Sequence, residues 1–104
     1  DVFVNIAGGI KAEDPSIDLA IVSALLSSYE DVPLPQNICF AGEVGLSGEI
    51  RAVNRIEQRI AEAEKLGFEK IIVSRYSAKN LNKFHPGIEV LALGKVEELY
   101  QLLF

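Results

Sequence analysis

Asn54-Arg55-Ile56-Glu57-Gln58-Arg59-Ile60-Ala61-Glu62-Ala63-Glu64-Lys65-Leu66-Gly67-Phe68-Glu69-Lys70-Ile71-Ile72-Val73-Ser74 passes from a helical pattern into a short apolar run. Its first half is an amphipathic helix. Ile56, Ile60 and Ala63 recur at helical spacing with Leu66 at the end, so these four are expected to face the core. Asn54 with Glu57 three residues on reads as a capping-box variant, and Gly67 supplies the stop. Lys70–Ser74 then reads as a short buried strand of the parallel kind, because it is apolar on both faces. A helix feeding such a strand makes the class α/β, with βαβ units in the sheet.

Working outward, Asn37-Ile38-Cys39-Phe40-Ala41-Gly42-Glu43-Val44 reads as a strand. Gly45, Ser47 and Gly48 turn it back into Glu49-Ile50-Arg51-Ala52-Val53, a hairpin or tight reversal. Asp14-Pro15 starts an earlier helix, about Pro15 to Ser28, with Asp14 as N-cap and Pro15 at the first helical position. Its apolar residues cover most of its circumference, which predicts a central, buried helix. Before it, Val2–Ala7 reads as a strand broken at Gly8-Gly9 and resumed at Ile10–Ala12. On the other side lie a helical turn near Ser77 to Lys83, a Pro86-Gly87 turn, a strand Ile88–Leu93 and a last helix from about Lys95 to Phe104.

With 104 residues, 49% of them hydrophobic and 24% charged, the chain fits one globular domain. No apolar run approaches a membrane span, which leads to a cytoplasmic, non-membrane expectation. The chain contains no methionine and turns apolar one residue after Asp1, so it reads as an excised domain whose true start lies upstream. Lone Cys39 has no partner for an internal disulfide, lies in an apolar run and is expected to be inert core. The net charge of -5 opposes tight autonomous nucleic-acid binding. The charge is uneven: residues 1–52 hold 2 basic and 8 acidic side chains, residues 53–104 hold 8 and 7.

Two kinds of chemistry are tested by these residues. Gly42, Gly45 and Gly48 fail as a phosphate loop, since no Lys-Ser or Lys-Thr follows and the run leads into a strand. For hydrolysis, Ser16 stands in the first turn of a helix, where backbone N–H groups favour a developing anion. His85, the only histidine, sits in an irregular turn and is expected to be a solvated loop residue. Ser16→Ala is expected to be nearly neutral for stability, with Asp14 supplying the cap.

The segment Val2 to Asp18 resembles the Lon-protease segment that ends in the nucleophile motif. Gly42-Glu43-Val44-Gly45-Leu46-Ser47-Gly48-Glu49-Ile50-Arg51-Ala52-Val53 resembles the Lon run preceding the catalytic lysine. Phe3-Val4-Asn5, Gly8-Gly9, Pro33-Leu34-Pro35, Glu57-Gln58-Arg59-Ile60 and Ile71-Ile72-Val73 extend the similarity to the C-terminal Lon-like domain of the RadA (Sms) family of bacterial DNA repair proteins. The resemblance implies a Lon protease-like α/β fold. An ungapped alignment from Gly42 places Glu57 at the catalytic-lysine position, and Asp14 and Asp18 replace glycines around Ser16. The pair Ser16 and Glu57 is therefore a degenerate dyad, and no peptidase activity is expected.

The family further implies a modular protein: zinc finger, RecA-like ATPase and this domain, acting as a hexameric ring in recombinational branch migration. ATP, Mg and Zn belong to the other parts, with no cofactor or metal expected here. The expected role is a scaffold and DNA-contact module, with a homo-hexamer and a recombinase as implied partners. Lys11, Arg51, Arg55 and Arg59 are the candidate DNA-contact patch, since Arg55 and Arg59 share a helix face and Arg51 ends the strand feeding it. Two other readings compete: a cryptic serine hydrolase using Ser16, with His85, and a purely structural oligomerisation module.

Overall fold

The computed structural model describes residues 14–79, 81 and 85–104. The expected strand Val2–Ala7, its continuation at Ile10–Ala12 and the candidate cation Lys11 lie outside the described residues, as does part of the turn expected near 77–83.

A 3-10 turn, Pro15–Ile17, leads into helix α1, Asp18–Glu30. Strand β1 is Ile38–Ala41, followed by the hairpin strands β2, Glu43–Val44, and β3, Ile50–Arg51. Helix α2 spans Ile56–Lys65, strand β4 Lys70–Ser74 and the short helix α3 Arg75–Ala78. Strand β5, Glu89–Leu93, and helix α4, Val96–Leu103, complete the order. The sheet β1-β4-β5 is parallel, with Cys39 opposite Ile71 and Ile71 opposite Val90, so the apolar run of β4 is the central strand. β2 and β3 pair antiparallel as the expected reversal.

Side chains alternate across the sheet and build two cores. On one face Ile71, Val73 and Ala41 meet Ile56, Ile60 and Ala63 of α2. On the other, Ile72 and Ile38 meet Leu19, Ile50 and Leu99, with Val22 and Leu26 of α1 and Leu103 of α4 packed alongside. The result is three layers: α2, then the sheet, then α1 with α4.

Four expectations about packing are corrected. Helix α1 is not buried all round: Leu19 and Ser23 are fully buried, whereas Leu25 is 54% and Tyr29 84% exposed. The reason is its position in an outer layer, so one side of its apolar surface has no described neighbour. Buried Ser23 is satisfied within the helix, its Oγ donating to Leu19 O at 2.8 Å. Leu66 does not face the core and is 68% exposed. The chain turns at Gly67, whose φ of +93° favours glycine, and Phe68 takes the inward position instead. Asn54 does not cap α2: Arg55, itself left-handed at φ 58°, is the N-cap and makes no side-chain cap bond. Cys39 is only half-buried, although burial pushes its thiol up to about 11.

Gly42 connects the strand to the hairpin at a close approach. A Cβ there would stand 3.1 Å from Leu19 Cδ2 and 3.2 Å from Ile50 Cγ2. Its backbone ties the start of α1 to the sheet, with Leu19 N donating to Gly42 O and Gly42 N to Ser16 O.

Candidate functional site

The nucleophile candidate is held by the local chemistry of Asp14-Pro15-Ser16. Asp14 Oδ1 accepts from Ser16 N at 3.0 Å, as the capping reading expects. That backbone bond, then the serine side chain, lowers the Asp14 carboxyl below the ordinary aspartate range, with the nearby Arg59 charge a lesser cause. Ser16 itself is only 5% exposed. Its Oγ accepts a hydrogen bond from Arg59 Nη1 at 3.1 Å. The same guanidinium donates through Nε to Asn54 O at 2.8 Å and through Nη2 to Asn54 Oδ1 at 3.1 Å. This is why Asn54 is no cap: its side chain is committed to Arg59. A cavity of about 190 Å³ lies here, lined by Asp14, Ser16, Glu43, Asn54 and Arg59 among others.

Ser16 therefore faces a cation, supplied by Arg59 and not by position 57. A guanidinium stays protonated throughout the working pH range, so it donates to the serine oxygen and has no site to receive its proton. The expectation of a near-neutral Ser16→Ala is revised: removing the hydroxyl removes an acceptor from a partly buried cation.

Glu57 points to a different neighbour. Its Oε2 is 3.0 Å from His85 Nε2, and Glu64 Oε1 is 3.5 Å from His85 Nδ1. Glu64 Oε2 also accepts from Gly87 N at 2.8 Å. His85 is thus not a solvated loop residue, since its side chain is 8% exposed and flanked by two carboxylates. Glu57 and Glu64 lie seven apart on α2, hence on one helical face, which is the sequence signal for this clasp. The imidazole is held by the two carboxylates of α2, while Ser16 Oγ belongs to Arg59, so the pairing of Ser16 with His85 is not assembled.

The hairpin is braced from three sides. Asp18 Oδ2 accepts from Val44 N at 3.1 Å, so the carboxylate at this motif position is a structural acceptor. Val96 N donates to Gly48 O, and Ile50 N to Gly94 O. Glu98 Oε1 in turn accepts from Gly94 N and Lys95 N at the start of α4. Within the hairpin, Arg51 binds Glu49 at 2.8 Å and Glu43 at 3.6 Å. Arg51 lowers the Glu49 carboxyl, with bonding of the Ser47 N–H a smaller cause.

The four expected cations are accordingly not equivalent. Arg51 is shared between hairpin carboxylates, Arg59 is turned toward Ser16, and Lys11 is outside the described residues. Exposed Arg55 and half-buried Arg59 both line an open groove of about 820 Å³ between α2 and the β1 edge of the sheet. Its lining also includes Cys39, Lys65, Leu66 and Phe68, which periodicity did not point to as a surface feature. Among the described residues no cluster of His, Cys, Asp and Glu is arranged to hold a metal ion, and no helix is long and apolar enough to cross a membrane.

Parallel strands, outer helices and a braced hairpin beside a serine turn define a mixed α/β domain. The chain belongs to the family described as Subunit ChlI of Mg-chelatase, whose pattern matches residues 1–77. It is similar to DNA repair protein RadA of Streptococcus pneumoniae (strain ATCC BAA-255 / R6), at 46% identity over 104 residues, all of this chain and 24% of that protein. DNA repair protein RadA of Bacillus subtilis (strain 168) is 47% identical over 98 residues, 94% of this chain and 21% of its own length. That of Listeria monocytogenes serovar 1/2a is 42% identical over 98 residues, with 94% and 21% covered. The expected likeness to RadA is thus found along the whole chain, which spans under a quarter of the length of these relatives.

Proposed function

We propose that this chain is a Lon-like domain without hydrolytic chemistry, serving as a scaffold and DNA-contact module in a DNA repair protein. The observation that carries this reading is the seating of Arg59 on Ser16 Oγ at 3.1 Å. Where a serine nucleophile needs a group that accepts its proton, it meets one that only donates. Asp14 and Glu43 also line the cavity, and carboxylates there oppose an oxyanion. The relatives named DNA repair protein RadA support placing the domain in a repair protein. In this reading ATP-driven branch migration by a hexameric ring, with its ATP, Mg and Zn, is the work of other parts of the full-length protein.

DNA contact in this proposal is led by Arg55, whose exposed side chain stands at the start of α2. Arg51 and Arg59 have donors already engaged, so they shape the local field more than they grip phosphate. One copy carries few phosphate contacts and binds weakly. Six copies in a ring would add theirs, with a steep salt dependence.

The test is peptide and casein turnover by the purified chain and by Ser16→Ala. No turnover by either is expected. Turnover that Ser16→Ala abolishes would establish the hydrolase reading instead.

A further inference from the structure

On the face of the sheet away from α2, the C-terminal end of α1 and the side of α4 next to it form one apolar surface with an acidic edge. Leu25 and Tyr29 stand one helical turn apart on α1, followed by Val32, and all three are exposed. Tyr100 of α4 joins them: its Oη donates to Glu30 Oε2 at 2.9 Å, and its ring centroid lies 5.6 Å from that of Phe104. The bond to Glu30 raises the Tyr100 phenol above its ordinary range, with Tyr29 a lesser electrostatic cause, so the two tyrosines share this surface. The core does not use them, since Leu19, Leu26 and Leu103 fill the space between the two helices and the sheet.

The edge of this surface carries charge of one sign. Residues 14–50 contain no Lys or Arg against six Asp and Glu, and α4 contains none against Glu97 and Glu98. Glu30 and Asp31 directly follow Tyr29, and Glu97 lies three residues before Tyr100 and seven before Phe104, on the same side of α4. Such an edge repels phosphate, so neither nucleic acid nor an anionic lipid surface fits it, and a second α1 face would bring the same carboxylates against their own kind. Exposed Leu and Tyr side chains rimmed by carboxylates complement an apolar stripe rimmed by cations.

We propose that this surface docks a segment of a different protein: an amphipathic helix with an apolar stripe flanked by Lys and Arg, laid along α1 with its apolar side chains on Leu25, Tyr29 and Phe104. Helices of this kind present anchors at i, i+3, i+4 and i+7, a spacing that matches the one-turn step from Leu25 to Tyr29. The tyrosines supply broad contact area at small entropic cost, and the carboxylates select the sign of the partner. Helix α2, with Arg55 at its start, lies on the opposite face of the sheet, so the docked helix leaves the proposed DNA contact uncovered and does not depend on it.

Titration of the isotope-labelled full chain with a synthetic amphipathic peptide, Leu on one face and Lys on the flanks, tests the docking by amide chemical shifts and by fluorescence anisotropy. Saturable binding is expected, with shifts concentrated in α1 and α4 and affinity falling as salt rises. A peptide with the same Leu positions and Glu for every Lys should bind at least roughly tenfold more weakly. Tyr29→Ser and Leu25→Ser should each weaken the Lys peptide by roughly tenfold or more. Glu30→Gln with Asp31→Asn should weaken it severalfold and flatten the salt dependence, whereas Tyr100→Phe, which removes only the bond to Glu30, should leave the salt dependence unchanged. Circular dichroism checks that each variant is folded. The proposal is overturned by no binding of the Lys peptide, by equal binding of the Glu peptide, by shifts confined to α2, or by full affinity in Tyr29→Ser. It is also overturned if the chain alone self-associates through Leu25 and Tyr29 and the peptide cannot displace that contact.

Discussion

Removing Arg59 should destabilise the domain, and much of the loss should be shared with Ser16. Arg59→Ala deletes three hydrogen bonds, of which those to Asn54 are exposed and the one to Ser16 is partly buried. Exposed bonds of a cation contribute a few tenths of a kcal/mol each, and the partly buried one about 1 kcal/mol, so the total loss is about 2 kcal/mol. Ser16→Ala should cost about 1 kcal/mol, because it leaves the same guanidinium short of one acceptor. The double variant should lose less than the two single losses together, with a coupling of about 1 kcal/mol. Arg59→Met retains most of the stem and separates lost packing from lost bonding. Urea unfolding followed by far-UV circular dichroism measures all four. Strictly additive losses, with coupling within about 0.3 kcal/mol of zero, would refute the claim that Arg59 holds Ser16.

Three further outcomes are expected. Gly42→Ala should destabilise by about 1 to 3 kcal/mol, because its Cβ presses on Leu19 and Ile50, and thermal unfolding would read it; an unchanged midpoint would show that the close approach is not tight. Cys39, with its thiol pushed from 9.0 to about 11, should carry about a hundredfold less thiolate at neutral pH than that ordinary value gives. Its alkylation by iodoacetamide should be slow and keep rising with pH toward 11, and a plateau near 9 would contradict the burial argument. Asp14 and Glu49 have lowered folded values, so their contributions are present above the ordinary carboxylate range and are lost as pH falls through the folded values. Acid titration of stability should lose this component in Asp14→Asn and Glu49→Gln.

The sheet was legible because its signals are local. Lys70–Ser74 is apolar on both faces, and only a central parallel strand between two helical layers satisfies it. The Asp14-Pro15 start and the Gly67 stop are also local, set by a side-chain oxygen and a positive φ. What failed depended on partners distant in sequence. Asn54 fits a cap by pattern, yet Arg59 claims its side chain, and Glu57 turns to His85, 28 residues on. Helix α1 is apolar around its circumference, and periodicity cannot tell a helix buried by the domain from one that leaves a face for something else. The Ser16–Arg59 contact spans 43 residues and breaks the ungapped correspondence that placed Glu57 opposite the serine. A motif aligned by counting positions gives the residue in line, whereas helical geometry decides which side chain reaches.

In the proposed function Ser16 is structural and has no base beside it. Incubating the chain with a fluorophosphonate probe across the neutral and mildly alkaline range, then measuring intact mass, tests it most directly. No adduct on Ser16 is expected at any of these pH values, because the hydroxyl is buried and bonded to a group that cannot take its proton. An adduct that rises with pH and vanishes in Ser16→Ala would contradict it.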